Sequence, residues 1–366
     1  MTSATIPNSV TSIGESAFAF TGLTDLRIED EFERLYLDNS AFDSATIKNI
    51  YLGRPMSYIP GSYYIETAVV GNLVENIPAS SFIERSKLKS LTLGSGLKSI
   101  EEKAFSGCTS LTEVIIPPSV ETIGASAFAY NSALASIIMG HSVQTIGAKA
   151  FDRCPAQTVR ITAQTPPTAP NNTFSTYSGK LYLQGEEAYD AYYDAYTCWD
   201  RFDSYLMIEP TGIKSDSDTK INGNPGDTFQ LTATLMPENV TLPQIFWRST
   251  NPAIATVDGN GLVTLHADLN EVMTLASDEE ENGRCKIIAE SLYTNGPVLE
   301  FEVTSDSSGI EDVVADEEGD NGTIDFTSPI EVYNLNGRFI ATSLDNLSTG
   351  IYIVRQGNIV KKIAVR

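Results

Sequence analysis

Nine-residue strings recur along the chain with little change. Residues 120–128 read VETIGASAF, residues 143–151 read VQTIGAKAF, and residues 10–18 read VTSIGESAF. The phenylalanines set the register: Phe82, Phe105, Phe128, Phe151 and Phe174 are each 23 residues apart. Phe18 and Phe42 continue the series upstream at 24 residues, Tyr64 takes the slot 22 later, and Phe82 follows after a short step of 18. Val120/Ile123 and Val143/Ile146 travel with the aromatic, and a small residue such as Ala104, Ala127 or Ala150 precedes it. A fixed period in the twenties implies a solenoid, in which each unit buries its apolar face only against its neighbours.

The other half of each unit carries a strand pattern. Leu111, Val114 and Ile116 recur one unit later as Leu134, Ile137 and Met139, and one unit earlier as Leu88, Leu91 and Leu93. Leu23, Leu26 and Ile28 match Ile47, Ile50 and Leu52 upstream. The closing alternation is a short strand with one face in and one face out. Stacked as parallel rungs about 4.7–4.9 Å apart, such strands place each Phe over the next.

The unit CTSLTEVIIPPSVETIGASAF resembles the BspA-like leucine-rich repeats of bacterial surface proteins, over roughly residues 5–209. The resemblance implies an α/β-type leucine-rich repeat solenoid with one parallel strand per rung. The stretch 60–75 departs from the pattern, and Val159 and Ile161 arrive one residue early. The segment LYLQGEEAYDAYYDAYTCWDRFDSYLMIEP looks like a terminal cap, with a last strand, a Tyr-rich helix and Trp199 covering the open core. Thr5-Ile6-Pro7 already reads as the end of a strand and no export signal is visible, so a longer precursor with further repeats is expected.

A second domain is expected at 210–305. Phe229, Leu231, Ala233 and Leu235 alternate, and Asp258-Gly259-Asn260-Gly261 reads as a turn between short strands. Trp247, Ser249 to Pro252, Ala255-Thr256-Val257 and Gly261-Leu262-Val263 resemble the bacterial Ig-like group 2 domain, an all-β sandwich that implies a spacer or adhesive role. Residues 306–327 form an acidic linker with no lysine or arginine. Residues 328–366 then turn basic and alternate with period two, as a small C-terminal β domain. Tyr333, Gly337, Arg338, Gly350, Tyr352, Lys361 and Lys362 carry a resemblance to the type A sorting domain of the type IX secretion system. That implies recognition by secretion machinery and a secreted or outer-membrane, cell-surface location in a Gram-negative bacterium.

Composition narrows the function. The formal net charge is −23 with no basic stripe, which argues against nucleic acid and anionic lipid. No apolar run reaches the ~18 residues of a membrane span. Cys108 and Cys154 share a slot two rungs apart, roughly 9–10 Å by strand spacing and beyond disulfide reach, so buried free thiols are expected. The two histidines, His141 and His266, fall in different domains, and no nucleophile elbow, zinc or phosphate-loop spacing occurs. We expect no enzyme, no cofactor and no metal. The insert SDEEENG at 277–283 lacks the ordered spacing of a calcium loop and reads as a solvated loop.

Binding is then expected on the outward strand positions: Arg27, Tyr51, Lys89, Thr92, Glu113, Ile115 and Ile138. Ile115 and Ile138 would be neighbours and form a small exposed apolar patch. The BspA-like resemblance implies an adhesin, a monomer contacting an extracellular protein, a glycan or another cell. A structural repeat protein acting as stalk or assembly scaffold is the alternative.

Overall fold

In a computed structural model, which describes residues 1–56, 59–60, 63–195, 197–223, 225–266, 285–305, 330–333, 339–342, 350–356 and 359–365, the repeats stack as a parallel solenoid. Ser3–Ile6, Asp25–Ile28, Asn49–Leu52, Thr67–Val70 and Ser90–Thr92 form one five-stranded sheet. Glu113–Ile116, Ser136–Met139, Thr158–Ile161, Lys180–Leu183 and Asp203–Leu206 form a second. Anchors sit on anchors: Val114 pairs with Ile137, which pairs with Val159.

The Phe register produces the stack that the period requires. Phe105, Phe128 and Phe151 are fully buried, with ring centroids 5.2 and 5.5 Å apart in near-parallel planes. Each ring is held in a tight turn. Ser126 and Tyr130, two residues before and after Phe128, are both left-handed at φ 55° and 63°, and Gly107 takes the matching place after Phe105 at φ 77°. That backbone is uncommon outside glycine and persists because the turn is pinned to the next rung. The Phe128 amide donates to the Ala150 carbonyl at 2.8 Å, as the Phe105 amide does to Ala127 at 2.7 Å. The glycine of the repeated string has its own reason. A Cβ on Gly147 would lie 2.4 Å from the Ala125 nitrogen, so only glycine lets these turns nest.

Two expectations need correction. The column is not continuous through Tyr64: that side chain is 46% exposed, with Lys87 over its ring at 4.7 Å. Phe18 stacks on Phe42, a second column begins at Phe82, and the 18-residue step between the slots leaves the intervening rung without room for an inward ring. The α/β label also holds only in part. Gly185–Tyr193 is the one α-helix among the described residues, and it lies in the cap. The backs of the rungs are two-residue strands, such as Thr122–Ile123 on Thr145–Ile146, joined by turns. Left-handed residues such as Ser126, Tyr130, Lys149 and Arg153 recur in those turns and interrupt any right-handed helix.

The irregular stretch carries a full strand, Thr67–Val70, with Ala68 and Val70 pointing inward. Nearby Arg54 is fully buried and donates to the carbonyls of Asn8 at 3.0 Å and Val10 at 2.5 Å, tying the first turn down. The far end closes on aromatics: Trp199 and Phe202 meet Phe174 edge-on at 5.9 and 5.2 Å, and the Trp199 indole donates to the Pro167 carbonyl at 3.0 Å. All four cysteines are buried and unbridged. Burial pushes the Cys108, Cys154 and Cys198 thiols up to about 12, which leaves them unreactive.

Beyond the cap, a four-stranded sheet (Lys220–Gly223, Val298–Ser305, Cys285–Ser291, Ile245–Ser249) faces a three-stranded one (Thr228–Gln230, Leu262–Leu265, Ala255–Val257). Trp247 and Phe301 fill the space between them, 5.8 Å apart. The expected turn forms at Asp258, whose carboxylate accepts from the amides of Asn260 and Leu262 at 2.8 and 2.9 Å, with Gly261 at φ 82°. Near the C-terminus, Phe339–Ala341, Glu331–Tyr333, Gly350–Gln356 and Ile359–Val365 form an antiparallel sheet. The acidic insert 277–283 and the linker 306–327 lie outside the described residues.

Candidate binding face of the solenoid

One row of outward positions runs along both parallel sheets: Arg27, Tyr51, Val69, Thr92, then Ile115, Ile138, Arg160 and Tyr182. Val69 belongs to the rung that the sequence pattern obscured, so Tyr51 and Thr92 are separated by a strand. The row meets two different environments.

Its C-terminal part is covered from within the chain. Ile138 is 3% exposed and packs with Met207, Leu242, Leu292 and Tyr293, with Ile115, Tyr182 and Phe246 at the margin. The expected exposed apolar patch is therefore absent. Two adjacent isoleucines cost less against the sandwich than in water, at roughly 1.5–3 kcal/mol for each fully buried side chain. Hydrogen bonds fix the docking geometry. Thr162 Oγ1 and His141 Nδ1 both donate to the Leu292 carbonyl, at 2.6 and 3.2 Å. Gln184 and Thr294 bond reciprocally: the Thr294 amide donates to Gln184 Oε1 at 2.8 Å and Gln184 Nε2 to the Thr294 carbonyl at 2.9 Å. Asn72 Nδ2 donates to the carbonyls of Trp247 and Val257 at 3.0 and 2.6 Å, and Ser95 Oγ donates to the Trp247 carbonyl. Tyr293 closes the set, donating to the Ile208 carbonyl and accepting from the Leu242 amide, both at 2.9 Å.

The N-terminal part carries a shallow trough of about 270 Å³. Arg27 lies over the Tyr51 ring at 4.0 Å, and the Tyr51 hydroxyl donates to Asp30 at 2.8 and 2.9 Å. Arg27 also reaches Asp30, at 3.7 Å. Burial holds the Asp30 carboxyl above its ordinary value, against the pull of the Tyr51 hydroxyl and Arg27, and Asp258 of the sandwich adds to the rise. Burial first, then Asp30, pushes the Tyr51 phenol up. Asp25 lies beyond them and accepts from Thr24 at 2.6 Å and Asn49 at 2.7 Å; these bonds lower its carboxyl below the usual range. A guanidinium, a phenol and two carboxylates are thus braced in fixed positions before any ligand arrives, so little side-chain entropy is left to lose on binding.

The remaining expected residues are dispersed. Lys89 precedes its strand and pairs with Glu66 at 3.2 Å, an exposed contact worth little. Thr92 lies where the sandwich begins, and Glu113 accepts from Ser136 Oγ at 2.8 Å. In the tail, Tyr333, Gly350, Tyr352, Lys361 and Lys362 fall on the antiparallel strands, while Gly337 and Arg338 lie outside the described residues. Among the described residues, no group of three His, Cys, Asp or Glu is placed to hold a metal, and no helix is long and apolar enough to cross a membrane.

These features define a leucine-rich repeat solenoid with a β-sandwich docked on its sheet. Comparison with known proteins gives the finer class. Residues 1–66 and 61–179 match the BspA type leucine-rich repeat region in six copies, and residues 216–270 match the bacterial Ig-like domain, group 2. No curated protein matches the chain. Among solved structures, it is similar to a leucine-rich repeat protein from Bacteroides ovatus, at 22% identity and a TM-score of 0.39, over 55% of this chain and 46% of that one. The chain thus spans less than half the length of that protein. It is also similar to the pneumococcal vaccine antigen PcpA, at 18% identity over 56% of this chain and 67% of that one, TM-score 0.36. A third is a leucine-rich cell surface protein from Faecalibacterium prausnitzii, at 18% identity over 56% and 78%, TM-score 0.25.

Proposed function

We propose that this chain is a secreted or cell-surface binding protein that contacts an extracellular protein or glycan through the uncovered part of its solenoid sheet. The braced Arg27–Tyr51–Asp30 group carries the reading, because it sits in the same row whose other part the protein already uses for docking. The BspA type repeats support it. A stalk role fits less well, since the Ig-like domain lies on the sheet face and occupies surface that an end-to-end spacer would leave open.

A screen of matrix proteins and glycans with the intact chain tests this reading. A saturable ligand whose affinity falls about tenfold or more in Tyr51→Ala, and is unchanged in Lys286→Ala on the Ig-like domain, supports it. A ligand indifferent to Tyr51→Ala and Arg27→Ala contradicts it. The tail is part of the same proposal: its resemblance to a sorting domain, and its five basic against two acidic residues in 328–366, fit a separable export signal. Removing residues 328–366 should then retain the protein in the periplasm of a host with a type IX system. Normal arrival at the surface would count against it.

A further inference from the structure

Exposed tyrosines in this chain mostly carry a cation of their own. Arg85 lies over Tyr63 at 4.9 Å, Lys87 over Tyr64 at 4.7 Å, Arg153 over Tyr130 at 5.3 Å and Lys180 over Tyr205 at 5.1 Å. Among the described residues, Tyr36, Tyr189 and Tyr193 have none, and of these Tyr189 and Tyr193, 38% and 69% exposed, stand together. Four residues apart on the helix Gly185–Tyr193, they share one face. That face opens on a cavity of about 450 Å³ between the cap helix and the last strand, Asp203–Leu206.

The cavity's chemistry is one-sided. Tyr189, Tyr193 and Tyr205 line it together with the buried Trp199 and Phe202, Asp200 and Asp203 supply carboxylates, and no lining residue is basic, although Lys180 lies over the Tyr205 ring. Glu186, Glu187 and Asp190 extend the negative charge along the helix. Aromatic faces present the negative lobe of their quadrupole, and with carboxylates beside them they attract an ammonium or guanidinium group and repel phosphate or sulfate. The strand that contributes Asp203 and Tyr205 is also the last of its sheet and, among the described residues, pairs with no further strand, so an extended chain segment can run along it.

We propose that the cap pocket formed by Tyr189, Tyr193, Tyr205, Asp200 and Asp203 is a second binding site, which receives a lysine side chain from a basic peptide segment of a protein partner. It lies at the opposite end of the solenoid from the Arg27–Tyr51 trough and does not depend on that trough's role. The site supplies to an incoming lysine the arrangement that Lys180 already makes on Tyr205, with two carboxylates added.

Calorimetric titration of the intact chain with a blocked lysine-glycine peptide, at about 0.15 M salt to screen long-range attraction, tests it. The peptide should bind saturably, and its acetyllysine counterpart, which lacks the charge, should not. Tyr193→Ala and Asp203→Asn should each weaken binding about five- to tenfold, the loss expected for one desolvated cation–aromatic or charge contact. Tyr36→Ala, at an exposed ring in the second rung, should leave it unchanged. Unchanged melting temperatures would confirm that the variants fold, as expected for exposed side chains. Equal binding of the acetylated peptide, unchanged affinity in both pocket variants, saturation by neutral cellotriose in place of the peptide, or no peptide binding at all would each overturn the proposal.

Discussion

The two parts of the solenoid sheet share one backbone plan and differ in what faces outward. From Thr92 onward the row turns apolar at Ile115 and Ile138, and the Ig-like domain covers it. Before that point the row is Arg27, Tyr51 and Val69, and the polar members are tied to each other and to Asp30. The repeat therefore fixes the inward anchors and leaves the outward slots free to specify a partner. In one part that partner is within the chain; in the other a built polar surface remains available.

The largest contrast should come from charging the same slot in the two parts. Ile138→Asp buries an unpaired carboxylate under Tyr293 and Leu292 and should cost about 3–5 kcal/mol by denaturant unfolding, or undock the Ig-like domain. Val69→Asp, at the equivalent place in the open trough, should cost less than about 0.5 kcal/mol. Similar costs at both positions would erase the distinction between the two parts.

The Phe columns give the next contrast. Phe128, between two rings and fully buried, should lose about 3–5 kcal/mol on truncation to alanine. Phe18 ends its column, stacks on one side only and is part-buried, so Phe18→Ala should cost about half as much by the same measurement. The damage from Phe128→Ala should extend through the docked interface, since Ile138 follows in the next strand; a melt in which the Ig-like domain transition does not move would show that the contact carries no coupling.

Tyr293→Phe removes a hydroxyl that both donates and accepts at the interface. It should cost about 1–3 kcal/mol, because the Ile208 carbonyl and Leu242 amide lose their partner. The smallest effect concerns pH. Asp25 has its carboxyl lowered by Thr24 and Asn49, so its contribution is present above the unfolded value near ~3.9 and is lost as pH falls through the lower folded value. Asp25→Asn should lower stability slightly at neutral pH, leave it unchanged below the folded value, and so flatten the acid side of the profile; unchanged stability at neutral pH would contradict the assignment.

The sequence made the rungs legible because burial writes itself into a fixed period: Phe105, Phe128 and Phe151, with Val114 and Ile137, fall where their spacing requires. It misled at Tyr64, where residue type and approximate spacing fit the slot but the following step was too short for the ring to turn inward. Val69 escaped notice for the same reason. The covering of Ile138 was not legible, since its partners Leu292 and Tyr293 lie some 150 residues away in the β-sandwich, and no local pattern links them. Gln184 and Thr294 likewise look like ordinary polar residues until the fold brings them together. The trough was half visible, as Arg27 and Tyr51 stand at outward positions, but Asp30 comes after its strand and carried no periodic signal.

Hydroxyl-radical footprinting of the intact chain measures the central claim most directly, since it reads side-chain exposure in both parts at once. Met207, normally among the most readily oxidised side chains, should be protected together with Tyr293, while the exposed Tyr36 and Tyr205 label readily. Ile138→Asp should release the protection of Met207 and Tyr293 together. Rapid oxidation of Met207 and Tyr293 in the unaltered chain, at rates like those of exposed residues, would mean that the C-terminal part of the sheet is open and that the two parts do not differ.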